Sequence, residues 1–180
     1  MEQGRNEIEE IFSEEHDEIW WMTNPPRYYW HGNEPDIHAA YLFLIFGRPD
    51  LAQYWVRWIG DRLYGTGPDG LAGNDDTGTL STWYVFSALG FYPVAGTDIY
   101  LVGTPRFEKV ELSLPGGTLL VEARKSSPGS YYVSEVRLNG KELSVPWFRH
   151  SDIAFGGRLE FVLSDQPSGW GRVQPGDVVW

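Results

Sequence analysis

Two short runs in the first half of the chain place carboxylates, amides and glycines where a cation or a water-activating base could sit. The first is His31-Gly32-Asn33-Glu34-Pro35. Gly32 lets the chain turn, Asn33 and Glu34 supply oxygens, and Pro35 suits the first position of a helix. This run reads either as a helix cap or as a ligand-facing pair of oxygens at a helix N-terminus, where negative charge is favoured. The second run is Leu71-Ala72-Gly73-Asn74-Asp75-Asp76-Thr77-Gly78. One carboxylate is enough to cap a helix. Two adjacent ones repel, and the repulsion is relieved beside a cation or a substrate that needs a base. Asn, Asp and Glu oxygens suit calcium. The spacing lacks the alternating ligands and final Glu of an EF-hand loop, so any metal must draw ligands from separate loops. The four histidines (His16, His31, His38 and His150) show no metal-ligand spacing, and only His31 adjoins a candidate site.

The elements that position these runs follow from periodicity. Residues 36–46 have almost no polar side and read as a helix buried on most faces. A Gly-Arg-Pro-Asp turn at 47–50 ends it. Over 50–63, Leu51, Tyr54, Trp55, Trp58, Ile59 and Arg62 recur at helical spacing and predict an amphipathic helix. A loop at 64–78 holds five glycines. A third helix over 79–89 stops at Gly90, with Pro93 just beyond. Both runs thus precede a helix, as loops on the rim of a helical barrel would. After Gly96 the period becomes two. Strands are expected at 98–103, 107–114, 118–124, 131–138 and 159–164, with a tight hairpin at Asn139-Gly140. The expected class is α+β, with an acidic, partly helical segment at 1–27, helices over 28–95 and an antiparallel β unit over 96–180.

Composition narrows the functions. Lys and Arg number 14 against 25 Asp and Glu, a net charge of −11, which excludes binding driven by phosphate neutralisation on nucleic acid and adsorption to anionic membranes. Residues 1–18 hold eight of the acids and one base, and read as a solvated face or tail. No cysteine is present, so disulfides, thiol catalysis and thiolate zinc sites are excluded. No apolar stretch reaches the roughly 18 residues a membrane-spanning helix needs. The acidic start is unlike a signal peptide, so the expectation is either synthesis without export or a chain that is part of a longer protein. Aromatic residues make up 16%. Trp20, Trp21, Tyr28, Tyr29 and Trp30, just upstream of the first run, suit either a stacking surface for sugars or a bulky core.

Gly-Asn-Glu-Pro at 32–35, Gly-Asn-Asp-Asp-Thr-Gly at 73–78 with 81–94 behind it, and Gly-Thr-Pro-Arg-Phe at 103–107 together resemble the C-terminal part of glycoside hydrolase family 92. Residues 126–143 and 150–171 are similar to that family's closing β region. The resemblance implies an (α/α)₆ barrel, of which this chain holds the C-terminal helices, and a calcium-dependent, inverting exo-α-mannosidase acting on terminal mannose of glycans. It assigns the general base to Asp76, with Asn74 holding the water and Asp75 beside them. It assigns calcium to Asn33, Glu34 and Asp76. Trp30, His31, Asn33 and Glu34 are the implied sugar contacts. The family's general acid lies in a Glu-Gly loop ahead of these motifs, and residues 1–27 do not match it. A base without an acid implies an isolated chain close to inactive, with the missing N-terminal portion of the enzyme as partner. Two further readings stand: a non-catalytic, carbohydrate-binding module, and a unit that docks on a separate chain bearing the acid. Family members are commonly exported.

Overall fold

A computed structural model describes residues 29–174. The acidic segment 1–27, with Trp20 and Trp21, lies outside the described residues, as does Tyr28. A 3₁₀ turn at Glu34–Asp36 leads into helix α1 (Ala39–Ile45), followed by α2 (Pro49–Arg62), a 3₁₀ turn at Asp76–Gly78 and α3 (Thr79–Leu89). Eight strands follow: β1 (Phe91–Pro93), β2 (Ile99–Val102), β3 (Lys109–Leu114), β4 (Gly117–Lys125), β5 (Tyr132–Leu138), β6 (Lys141–Glu142), β7 (Trp147–Arg149) and β8 (Gly157–Ser164). The class is α+β.

The first helix starts later than its apolar run. Backbone bonds from Asp36 N–H to Asn33 O, 2.8 Å, and from Ile37 N–H to Glu34 O, 3.4 Å, tighten residues 33–37 into a 3₁₀ turn. Ala40, Tyr41 and Leu44 are buried, whereas Leu42 and Phe46 are exposed, so α1 is half-covered rather than buried on most faces. In α2 the buried face is Ala52, Gln53, Val56, Ile59 and Gly60. The expected stripe of large residues is rotated from it, and Trp55 and Trp58 flank the core half-buried. Gly60 lies against the Arg106 guanidinium, where a Cβ would stand 2.5 Å from it. Helix α3 matches its expected bounds and ends on Gly90 at φ 94°, whose N–H reaches back to Phe86 and Ser87 carbonyls.

Strands β1, β2 and β7 form one antiparallel sheet. Pro93 sits in its edge strand β1, the position a proline tolerates. The second sheet has the order β3-β4-β8-β5-β6. The β5–β6 hairpin turns at Asn139 and Gly140, with φ of 52° and 78°, as the two-residue turn requires. The expectation of a purely antiparallel unit is corrected here. Strand β8 inserts between β4 and β5, and it runs parallel to β4. Alternation fixes which residues face inward but not the direction of the neighbouring strand. Leu119, Val121 and Ala123 of β4 face the same core as Leu159, Phe161 and Leu163 of β8.

Strand β2 belongs to both cores. Val102 packs in the β core and Leu101 in the helical one, alongside Tyr41, Leu44, Ile59, Leu80 and Trp83. Gln53 ties α2 to β5: its Oε1 accepts the Val133 N–H at 3.1 Å, where a bulge between Val133 and Glu135 interrupts the ladder. Gln53 is buried, so Gln53→Leu leaves that N–H without a partner. The expected loss is about 1–3 kcal/mol of stability, read from urea unfolding. An unchanged midpoint would mean that the bulge recruits another acceptor.

Candidate active site

The two candidate runs, separated by 76 − 34 = 42 residues between Glu34 and Asp76, meet backbone to backbone. The Trp30 indole N–H donates to the Ala72 carbonyl at 3.2 Å. A Cβ on Gly32 would stand 2.3 Å from Ala72 O, and one on Gly73 would stand 2.6 Å from both Cα and O of Gly32. Glycine is therefore required by contact at both positions. The second loop is narrowed by an antiparallel bridge between Tyr64 and Leu71 and a 2.9 Å bond from Gly65 N–H to Gly70 O. Gly73→Ala is expected to push the loops apart and destabilise the chain by about 1–3 kcal/mol. Thermal unfolding reads the stability and the Trp30 indole N–H resonance in NMR reads the contact, and a stable variant with that resonance unmoved would refute the contact.

The two adjacent aspartates have different surroundings. Asp75 accepts the Ser81 backbone N–H at 3.0 Å and the Ser81 hydroxyl at 2.6 Å. It satisfies the first turn of α3, and the Ser81 bonds hold its carboxyl below the usual carboxylate range. Asp76 is exposed, and only its carbonyl is engaged among the described residues. The Thr77 and Thr79 hydroxyls both donate to that carbonyl at 2.6 Å. Thr77, a β-branched residue, takes φ 56°. A left-handed Thr is a strained choice of the kind that persists at functional loops. Asn74 is exposed beside them.

In the first loop, Asn33 donates its side-chain N–H to Asp36 Oδ2 at 2.9 Å, which keeps its carbonyl oxygen available as an acceptor. Glu34 Oε1 is buried with no hydrogen-bond partner. An orphaned carboxylate oxygen carries a desolvation penalty that a hard cation would relieve. These oxygens fit calcium in kind. Calcium takes six to eight of them, and among the described residues no cluster of three His, Cys, Asp or Glu side chains converges. The rest of any coordination shell must come from water, substrate or other parts of a longer protein.

His31 stands differently from the sugar contact that the resemblance implies. It is 1% exposed. Tyr29 Oη lies 2.6 Å from its Nδ1 and Tyr64 Oη lies 2.6 Å from its Nε2. Trp83 packs edge-on at 4.5 Å between centroids. Both ring nitrogens are engaged by tyrosine hydroxyls, so neither is free for a sugar. Burial pushes its pKa down to about 3 and keeps it neutral. Trp30 is half-buried, and its indole N–H is committed to the other loop. Tyr64 and Thr79 organise the site although no motif marks them. Ser81 does so too, and it opens the run 81–94 behind the acids.

The glycosyl hydrolase family 92 catalytic-domain model matches residues 2–165. A glycosidase described as uncharacterised and secreted, from Arthroderma benhamiae, is 35% identical over 148 residues, 79% of this chain and 19% of its own length. The family GH92 α-mannosidase BT3965 of Bacteroides thetaiotaomicron, solved with mannoimidazole, is 43% identical over 78% of this chain and 19% of its own, with a TM-score of 0.74. The inverting GH92 mannosidase BT2199 of the same organism is 36% identical over 90% of this chain and 22% of its own, with a TM-score of 0.76. The family match over most of the chain and the shared mixed helix-and-sheet fold define the class of this chain. It belongs to glycosyl hydrolase family 92, and it spans about one fifth of the length of these relatives.

Proposed function

We propose that this chain is the C-terminal portion of an inverting exo-α-mannosidase that removes terminal α-linked mannose from glycans. The observation that carries the reading is the backbone contact between the two loops, which sets an exposed, unpartnered Asp76 carboxylate on one and the buried, unpartnered Glu34 oxygen on the other. In this reading the three helices are the last of an (α/α)₆ barrel, residues 96–180 are its closing β unit, and 1–27 lead in from the rest of the enzyme.

Inversion needs a base that takes a proton from water and an acid on the opposite side of the glycosidic bond. Asp76 is the base, because it is the loop carboxylate not committed to capping. Asn74 accepts or donates a hydrogen bond to the same water but takes no proton. Asp75 orients the loop through Ser81. Asn33 and Glu34 would hold calcium, which when bound would offer a centre for the vicinal hydroxyls of the terminal mannose. The acid comes from the portion of the enzyme that precedes these motifs. General acid catalysis contributes about 10²- to 10⁴-fold, so the 180-residue chain alone is expected to be close to inactive.

The test extends the chain to family length and follows an aryl α-mannoside by NMR. The expected result is mannose released with inverted configuration, lost on chelation and restored by calcium, and no turnover by the 180-residue chain. Retained configuration, or full activity of the short chain, would overturn the reading.

A further inference from the structure

The Tyr29–His31–Tyr64 cluster lies behind the loops and takes no part in the chemistry above. The geometry fixes where its protons lie. Tyr64 Oη is 3.0 Å from the Leu80 carbonyl, and a carbonyl cannot donate, so the single Tyr64 proton is committed there. Tyr64 Oη must then accept at its other contact, 2.6 Å from His31 Nε2. The Nε2 atom therefore carries the imidazole proton. Nδ1 is left as an acceptor, and Tyr29 O–H donates to it over 2.6 Å. The bonds run in one direction, from Tyr29 through His31 and Tyr64 to the second residue of α3. Reversing them would strip the Leu80 carbonyl of this donor and leave the Tyr29 proton without its acceptor.

The relay joins three pieces of chain. Tyr29 and His31 lead into Gly32–Pro35. Tyr64 opens the hairpin that precedes Gly73–Gly78 and stacks on Trp83 of α3 at 5.6 Å and 4°. Leu80 lies four residues after Asp76. We propose that His31, locked as the Nε2–H tautomer, is a positioning residue that sets the spacing between the loop bearing Asn33 and Glu34 and the loop bearing Asp76. Its catalytic consequence rests on the mannosidase reading, but the strut itself does not.

The experiment has two arms. In the full 180-residue chain, ¹⁵N-histidine NMR should show a protonated Nε2 and an unprotonated Nδ1 for His31. The Trp30 indole N–H, which reports the loop contact, should exchange at least about tenfold faster in His31→Phe than in the parent. Tyr29→Phe and Tyr64→Phe each remove one hydroxyl and keep the ring, so they decide the matter if His31→Phe does not fold. They should also accelerate Trp30 exchange. An Nδ1–H tautomer, or folded variants with unchanged Trp30 exchange, would overturn the proposal. In the family-length enzyme, the same variants should lower kcat about 10- to 100-fold with KM within about twofold, as misplacement of reacting groups does. A raised KM with unchanged kcat would make His31 a sugar contact instead. If the family-length enzyme hydrolyses no mannoside, the mannosidase reading falls while the NMR arm still decides the strut.

Discussion

Asp76→Asn in the family-length enzyme is expected to lower kcat by about 10²-fold or more while leaving mannose affinity nearly unchanged. The substitution preserves shape and removes the proton acceptor. The loop should survive it, because Asp76 contributes to its fold through the carbonyl that Thr77 and Thr79 hold, and that carbonyl remains. The paired control is Asp75→Asn. Its carboxylate accepts two bonds from Ser81, so the amide loses one acceptor and disturbs the start of α3, with a smaller effect on kcat. The order of the two effects discriminates between roles. If Asp75→Asn proves the more damaging in kcat with the melting temperature unchanged, the base has been assigned to the wrong aspartate.

The difference between these neighbours shows how far the sequence could be read. Gly73–Gly78 announces a loop with chemistry, and the resemblance ranks Asp76 over Asp75. The physical reason appears only with Ser81 in place. Helix α3 and the Asn139-Gly140 turn were legible because their determinants are local: a glycine stop at Gly90 and a two-residue turn that needs positive φ. The buried face of α2 was only partly legible because hydrophobic patterning weights large apolar side chains, while Ala52, Gln53 and Gly60 share that face with Val56 and Ile59. The direction of β8 beside β4 was not legible, since side-chain alternation is the same in parallel and antiparallel pairs. The buried setting of His31 was not legible for a related reason. Its neighbours in sequence are a glycine and candidate ligands, whereas its neighbours in space, Tyr64 and Trp83, come from 33 and 52 residues away.

That burial carries a consequence in acid. His31 has a pKa lowered from 6.5 to about 3, with desolvation as the cause. A histidine depressed in the folded state binds its proton more tightly when unfolded. Its contribution is therefore complete above about pH 6.5 and is lost progressively as the pH falls towards 3. Across that window the loss is on the order of 4 kcal/mol, a large part of the 5–15 kcal/mol that holds a typical domain. Carboxylates held low in the folded state, such as Asp50 beside Arg48, also weaken the fold in acid, so the parent curve alone does not isolate the histidine. The comparison with His31→Phe does. The variant loses both tyrosine contacts and should be less stable at neutral pH by about 2–3 kcal/mol. Between pH 6.5 and 4.5 its stability should fall less steeply than the parent's by up to one proton, read from urea unfolding at fixed pH. The two curves should converge or cross as the pH drops. Parallel curves through that range would mean that His31 takes up its proton in the folded protein as readily as in the unfolded chain, and that the Tyr29–His31–Tyr64 cluster opens to water.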